Sequence, residues 1–276
     1  MLISAACTSQ SGPSETIPSP EQGAQSHEPT TTPIIASTFE AATPTYSSFF
    51  PAAPIEIQLP VEGSLLVSPL AVVANINPGS ASLITLSLQA EDGRLLARQV
   101  LSFPSSTGEE KMWLENFLYF EIPTASLAAR LSLTTQDEFG RTNALSSVAI
   151  TLLAPNNDQS LTSLNSPIYA DRIWIQSPSD GQTINSGILE ISGLLYQASE
   201  RPLLIQVLSR DGRVLVFDDV FTQASADTDY SPFSTEINLT ASEAQWLQIS
   251  ASLPAAYSGS VSHLSTIEIY YSPSPD

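Results

Sequence analysis

Cysteine and basic side chains are what this sequence has least of. Its single cysteine, Cys7, excludes an intramolecular disulfide, so any folded part must be held by apolar cores alone. Nine Lys and Arg stand against 28 Asp and Glu, a formal net charge of -19. A field of that sign repels phosphate backbones and anionic lipid, which excludes nucleic acid as a partner and adhesion through a basic patch. Only two histidines occur, His27 and His263, and with one Cys they give no zinc-ligand spacing. The acids are scattered without an Asp-x-Asp-x-Asp-Gly loop, so neither a metal nor a cofactor is expected. No apolar run reaches the roughly 18 residues a membrane helix needs.

Catalytic patterns are equally thin. Neither a Gly-x-Ser-x-Gly elbow nor a phosphate-cradling glycine loop is present. His263 sits at a strand start beside Ser262 and Ser265 and reads as a bystander. The adjacent acids Asp218-Asp219 and Glu109-Glu110 would point to opposite faces of a strand. With so few general bases the chain is expected not to be an enzyme.

What the sequence does contain is a stretch that occurs twice, and a repeat of this kind marks one structural module. One copy runs over Ile55–Arg98 and the clearer one over Ile173–Phe217. Pro60 and Gly63 match Pro178 and Gly181; Leu70, Val72 and Ala74 match Leu189, Ile191 and Gly193; Asp92-Gly93-Arg94 matches Asp211-Gly212-Arg213. Period-two alternation puts Ile55, Ile57 and Leu59, and likewise Ile173 and Ile175, on one strand face. Proline ends that strand and the glycine permits a turn with positive φ. A second strand follows through Leu70–Ile76 and Leu189–Leu195. Asp-Gly between alternating apolar residues then predicts a hairpin with a type I′ turn, Glu91 facing Arg94 across the first of them. Leu131 and Leu133 match Leu247 and Ile249, while Val148 and Ile150 match Ile267 and Ile269. Thr240 followed by Glu243 has the spacing of a capping box. About seven short strands per hundred residues is the pattern of an immunoglobulin-like sandwich, so the fold class expected is all-β with two tandem sandwiches.

The second module, from Asp171 to Tyr271, resembles the immunoglobulin-like domain of bacterial spore-germination and related surface lipoproteins, the Gmad2 family. Ile175, Pro178, Gly181, Leu189-Glu190-Ile191-Ser192-Gly193, Asp211-Gly212-Arg213, Tyr230-Ser231-Pro232-Phe233 and His263-Leu264-Ser265-Thr266-Ile267 carry the resemblance. The first module looks like a diverged copy, with Ala74 where the motif has glycine. The resemblance implies a surface protein; it brings no catalytic or binding residues with it.

Small residues lead directly into Cys7, which resembles a lipobox in which the cysteine is lipidated, with a signal expected upstream of Met1. Residues 8–50 are rich in Ser, Thr and Pro and poor in large apolar groups, so they should form a disordered spacer. The expected organisation is a signal remnant at 1–7, the spacer, a first domain at 51–154, a linker at 155–170 and a second domain at 171–276. Freedom between the two domains is the default.

Between Met112 and Phe120 the chain is too aromatic for alternation to bury everything. Phe120 and Ile122 are inward candidates, which leaves Trp113, Phe117 and Tyr119 to face outwards, to pack between modules or to form a recognition surface. Trp174 and Trp246 also lie on the parity opposite their inward neighbours. Trp113, Tyr119 and Trp174 are therefore the candidate ligand-binding residues. The expected role is non-catalytic: adhesion, scaffolding or recognition of an envelope or extracellular protein or glycan. The alternatives are a carbohydrate-binding module and an accessory subunit of a secreted hydrolase. Membrane contact would come only through a lipid on Cys7.

Overall fold

The computed structural model describes residues 51–77, 83–103, 111–155, 171–197, 201–223, 229–239, 243–256 and 259–273. Cys7, the spacer, Glu109-Glu110, Thr240 of the capping box and nearly all of the linker lie outside these residues. Every regular element among the described residues is a strand.

The first module runs through β1 (Ile55–Leu59), β2 (Leu65–Leu66), β3 (Leu70–Ile76), β4 (Leu83–Ala90), β5 (Leu95–Ser102), β6 (Met112–Leu118), β7 (Ser126–Gln136) and β8 (Thr142–Leu153). The second repeats that order through β9 (Ile173–Ser177), β10 (Gln182–Ile184), β11 (Ile188–Tyr196), β12 (Leu203–Leu208), β13 (Val214–Val220), β14 (Tyr230–Asn238), β15 (Gln245–Pro254) and β16 (Val261–Tyr271). In each, a three-stranded sheet (β1-β3-β6 or β9-β11-β14) packs on a four-stranded one (β5-β4-β7-β8 or β13-β12-β15-β16). Both are immunoglobulin-like sandwiches. Alternation decides the interior. Leu70, Val72, Ala74 and Ile76 are buried against Leu86, Leu88, Leu131 and Leu133 in the first core. Leu189, Ile191 and Leu195 meet Ile205, Val207, Leu247 and Ile249 in the second. Burying such a side chain contributes about 1.5–3 kcal/mol, which is how two domains without disulfides hold together.

Strand pairing refines the internal match. Leu88 pairs with Leu131, and Val207 pairs with Ile249. Leu131 therefore corresponds to Ile249, two residues on from the match made on apolar spacing. A shift of two keeps the same face inward, so spacing alone could not detect it. Two short strands, β2 and β10, also escaped periodicity; each lies parallel to the last strand of its module.

The Asp-Gly hairpins are not type I′. Gly93 and Gly212 have positive φ, but neither Asp92 nor Asp211 does. Gly93 N–H donates to Ala90 O at 2.9 Å and Ala90 N–H to Arg94 O at 2.9 Å. Gly212 and Ser209 repeat this pattern, as do Gly140 and Asp137 in the turn between β7 and β8. This is a type I turn closed by a glycine in the left-handed region, the three-residue loop with a bulge. Arg94 meets Asp92 at 3.7 Å in place of Glu91.

The modules are not free beads. Pro44–Asp276 forms one compact unit, and β16 lies antiparallel to β8 with Leu264 opposite Leu145. One continuous sheet, β13-β12-β15-β16-β8-β7-β4-β5, therefore crosses both modules. Leu145 and Leu264 are equivalent positions, as are Ser147 and Thr266, and Asn143 and Ser262. Ser147 Oγ donates to Ser262 O at 2.6 Å while Thr266 Oγ1 donates to Asn143 O at 2.7 Å. Each bond maps onto the other when the modules are exchanged, so the two sandwiches meet about a local two-fold axis, in the manner of an isologous dimer.

One internal difference explains the motif glycine. Gly193 pairs with Phe233, whereas its counterpart Ala74 pairs with Leu114. A Cβ added at Gly193 would stand 2.1 Å from Trp174 O and 2.6 Å from the Phe233 ring. Glycine here lets the Trp174 backbone carbonyl come close, with the Phe233 ring next to it. Gly193→Ala should therefore destabilise the chain by about 3 kcal/mol or more in urea unfolding, and adding Phe233→Leu should leave most of that loss in place, because the nearer contact is backbone.

Candidate functional site

Among the described residues, side chains that the cores do not require gather at the junction and on the outer face of β6. At one end of the junction Arg141, whose side chain is 2% exposed, donates from Nε to Asp137 Oδ2 at 2.6 Å and from Nη2 to Glu268 of the second module. Arg210 lies 4.2 Å over the Phe139 ring and 3.8 Å from Glu138, so the turns of the two modules interlock. At the other end a cavity of about 60 Å³ is lined by Pro54, Glu62, Ser146, Asp171, Arg172 and His263. That is room for a few water molecules.

Burial dominates the electrostatics of this cavity. It pushes the Asp171 carboxyl up to about 7, against hydrogen bonds from Ile173 N–H and Ser265 that favour the anion. It also pushes His263 well below its usual range, assisted by Arg172 and Arg130, so the imidazole is neutral. Ser262 Oγ stands 3.3 Å from His263 Nδ1 and donates to Leu253 O at 3.1 Å. This cluster belongs to the junction between modules. Of the remaining acids, Asp218 accepts from Thr235 of the facing sheet while Asp219 is exposed on the edge strand β13, an opposite-face arrangement.

The second place is the outer face of β6. Leu114 and Leu118 turn inward, which leaves Trp113 at 56%, Phe117 at 50% and Tyr119 at 75% exposure. Glu115 and Glu121 are exposed on the same parity. Among the described residues β6 pairs on one side only, with β3, so its other edge is open. Phe117 N–H is taken by the Asn116 side-chain carbonyl at 2.6 Å. At the strand's start, Lys111 is engaged by Glu56, which is 2% exposed and also accepts from Asn75 at 3.5 Å.

The second module supplies an internal comparison. Pairing makes Leu114 equivalent to Phe233, and so Trp113, Phe117 and Tyr119 equivalent to Pro232, Glu236 and Asn238. The fold thus does not demand aromatic residues here. Trp174 does not join them: it is half-buried on β9 beside Leu194, at the position where the first module has Glu56. The three residues singled out by sequence therefore divide between two modules, and Phe117, named there only as an aromatic of that parity, belongs with Trp113 and Tyr119. Trp246 stacks on Tyr270 at 5.4 Å.

Residues 172–260 match the family model for the immunoglobulin-like domain of bacterial spore germination, Gmad2. The first module lies outside the matched residues. No curated protein matches the chain. Among solved structures the chain is similar to a marsupial T cell receptor, at 8% identity over 80% of this chain and 74% of that one, with a TM-score of 0.25. It is also similar to the C-terminal domain of the Streptococcus agalactiae AgI/II polypeptide BspA, at 9% identity over 80% of this chain and 100% of that one, with a TM-score of 0.23. A mutant of the enterotoxigenic E. coli CFA/I adhesin CfaE gives 9% identity over 82% and 94%, with a TM-score of 0.21.

Two outcomes follow for the junction. Arg141→Met should cost about 2–3 kcal/mol in denaturant unfolding, because Asp137 and Glu268 lose a common charged donor. The Asp171 carboxyl has a folded value above its ordinary one, so its contribution to stability falls as pH rises from about 4 through 7; His263, shifted downward, loses its contribution as pH falls below about 6.5. Asp171→Asn removes the first effect. Unfolding curves at about pH 5 and pH 8 should show the variant gaining on the parent at the higher pH.

Proposed function

We propose that this chain is a non-catalytic recognition protein of the bacterial cell surface, in which the second module is the supporting domain and the outer face of β6 in the first module is the recognition surface. The observation that carries this reading is the exposure of Trp113 and Phe117 on one edge strand and of Tyr119 just past its end, where the sister module has Pro232, Glu236 and Asn238. Exposed aromatic clusters cost solubility and favour aggregation, so their presence on one copy of a duplicated fold calls for a use. The equivalent strand order and register of the two modules support the further reading that the first is a diverged copy of the second. The match of residues 172–260 to a spore-germination domain supports placement at the envelope. A lipid on Cys7 would hold the protein there; the small residues leading into Cys7 are the support for that anchor.

The test uses the full chain and isolated bacterial envelopes. Replacing the aromatic residues by those of the sister module (Trp113→Pro, Phe117→Glu and Tyr119→Asn) should leave the unfolding midpoint within a few degrees and reduce envelope binding about tenfold or more. Unchanged binding by that folded variant would remove β6 from the account. Metabolic palmitate labelling of the native gene product beside Cys7→Ala tests the anchor: label is expected only with Cys7 present.

A further inference from the structure

We infer that the β6 face takes an extended, basic peptide segment, which adds to the open edge of β6 as a fourth strand of the β1-β3-β6 sheet. This rests on the reading of β6 as the recognition surface and names its partner. Three observations converge on that chemistry.

The first is charge. Along the exposed parity aromatic and acidic residues are interspersed: Trp113, Glu115 and Phe117 on the strand, then Tyr119 and Glu121 just beyond it. Lys111, at the strand's start, is already engaged by Glu56. Rings with carboxylates between them and, from Met112 to Glu121, no cation form a surface that favours ammonium or guanidinium groups, by cation–π attraction and by ion pairing together. The formal charge of -19 adds long-range attraction for a basic segment and repels a second copy of this chain.

The second is the edge itself. β6 pairs with β3 on one side and with nothing on the other among the described residues. An added strand would bring its own backbone donors and acceptors to this edge, and the Asn116 carboxamide now on Phe117 N–H occupies the place of one such acceptor. Strand geometry sets the spacing. Side chains of the added strand that share the outer face recur every second residue and lie about 4.5–5.5 Å from their neighbours on β6. A segment with Lys or Arg at alternate positions would therefore set cations beside Trp113, Glu115 and Phe117 in turn.

The third is the sister module. Its equivalent edge strand, β14, carries Pro232 at the Trp113 position. Proline offers no N–H and blunts an edge against strand addition. Glu236 and Asn238 leave that face without the rings. One module is closed to an added strand and the other is left open.

The experiment titrates the full chain, following Trp fluorescence and calorimetry, with an eight-residue peptide alternating Lys and Thr. Its comparators are the Glu/Thr analogue, the same basic peptide with alternate backbone amides N-methylated, and a panel of β-linked cell-wall and cellulose oligosaccharides. The Lys/Thr peptide should bind with an affinity that falls as salt rises. Trp113→Pro should abolish that binding, and the surface pair Glu115→Lys with Glu121→Lys, which touches no core, should weaken it about tenfold or more. The N-methylated peptide should also bind about tenfold more weakly. Equal binding of the acidic analogue, equal binding of the N-methylated peptide, or selective binding of an oligosaccharide would each overturn the proposal. If no probe binds while envelope binding is still lost in the sister-residue variant, this inference fails and the recognition surface stands. If envelope binding survives that variant, the recognition surface itself fails.

Discussion

Everything in this molecule depends on how two equivalent strands meet. β8 and β16 close their own sandwiches and then lie against each other around Leu145 and Leu264, with Ser147 donating to Ser262 O and Thr266 to Asn143 O as matched bonds across the axis. That contact turns two small sheets into one. It also uses up one edge of each module, so among the described residues the edges left over are those of β5 and β13 on the shared sheet and those of the three-stranded sheets. An isologous contact between separate subunits would be symmetric throughout. Within one chain the two halves are free to differ, and at the junction they do. Arg141 binds Glu268 on one side of the axis, while Asp171, Arg172 and His263 fill the other.

The outer faces of the two modules differ as well. The first module carries a buried acid, Glu56, where the second has Trp174, and a tryptophan on its edge strand where the second has proline. Neither set is needed by the cores, which have the same strand order and nearly the same apolar positions. Gly193 shows the scale at which the cores do constrain sequence: a methyl there would meet both the Trp174 carbonyl and the Phe233 ring, whereas its counterpart Ala74 carries one opposite Leu114. Close packing enforces that kind of fit inside and leaves the surface unconstrained.

Much of the fold was legible because a strand's period is short and the repeat supplied each signal twice. Ile55, Ile57, Leu70, Val72, Leu86, Leu88 and their partners are buried as alternation requires. The turn type was not legible, since Asp-Gly suits both a two-residue type I′ loop and the glycine end of a type I turn; only the φ of Asp92 and Asp211 separates them. The match of β7 to β15 slipped by two residues for the same reason that alternation works at all. The junction was the largest surprise. Its contacts join residues more than one hundred positions apart, such as Arg141 and Glu268, and no local pattern encodes them. For the site, composition exposed an excess of aromatic residues around β6, but parity alone could not tell a recognition face from a module interface. Trp174 shared the parity argument with Trp113 and ended in a different environment.

The most direct measurement is hydrogen–deuterium exchange on the full chain, free and bound to isolated envelopes. Binding should slow exchange along Trp113–Leu118 of β6 and at Tyr119 beyond it, and leave the equivalent residues Pro232–Asn238 of β14 unchanged. Protection on β14, or on both strands alike, would contradict the account, because it would place recognition in a feature the two modules share and not in the one that separates them.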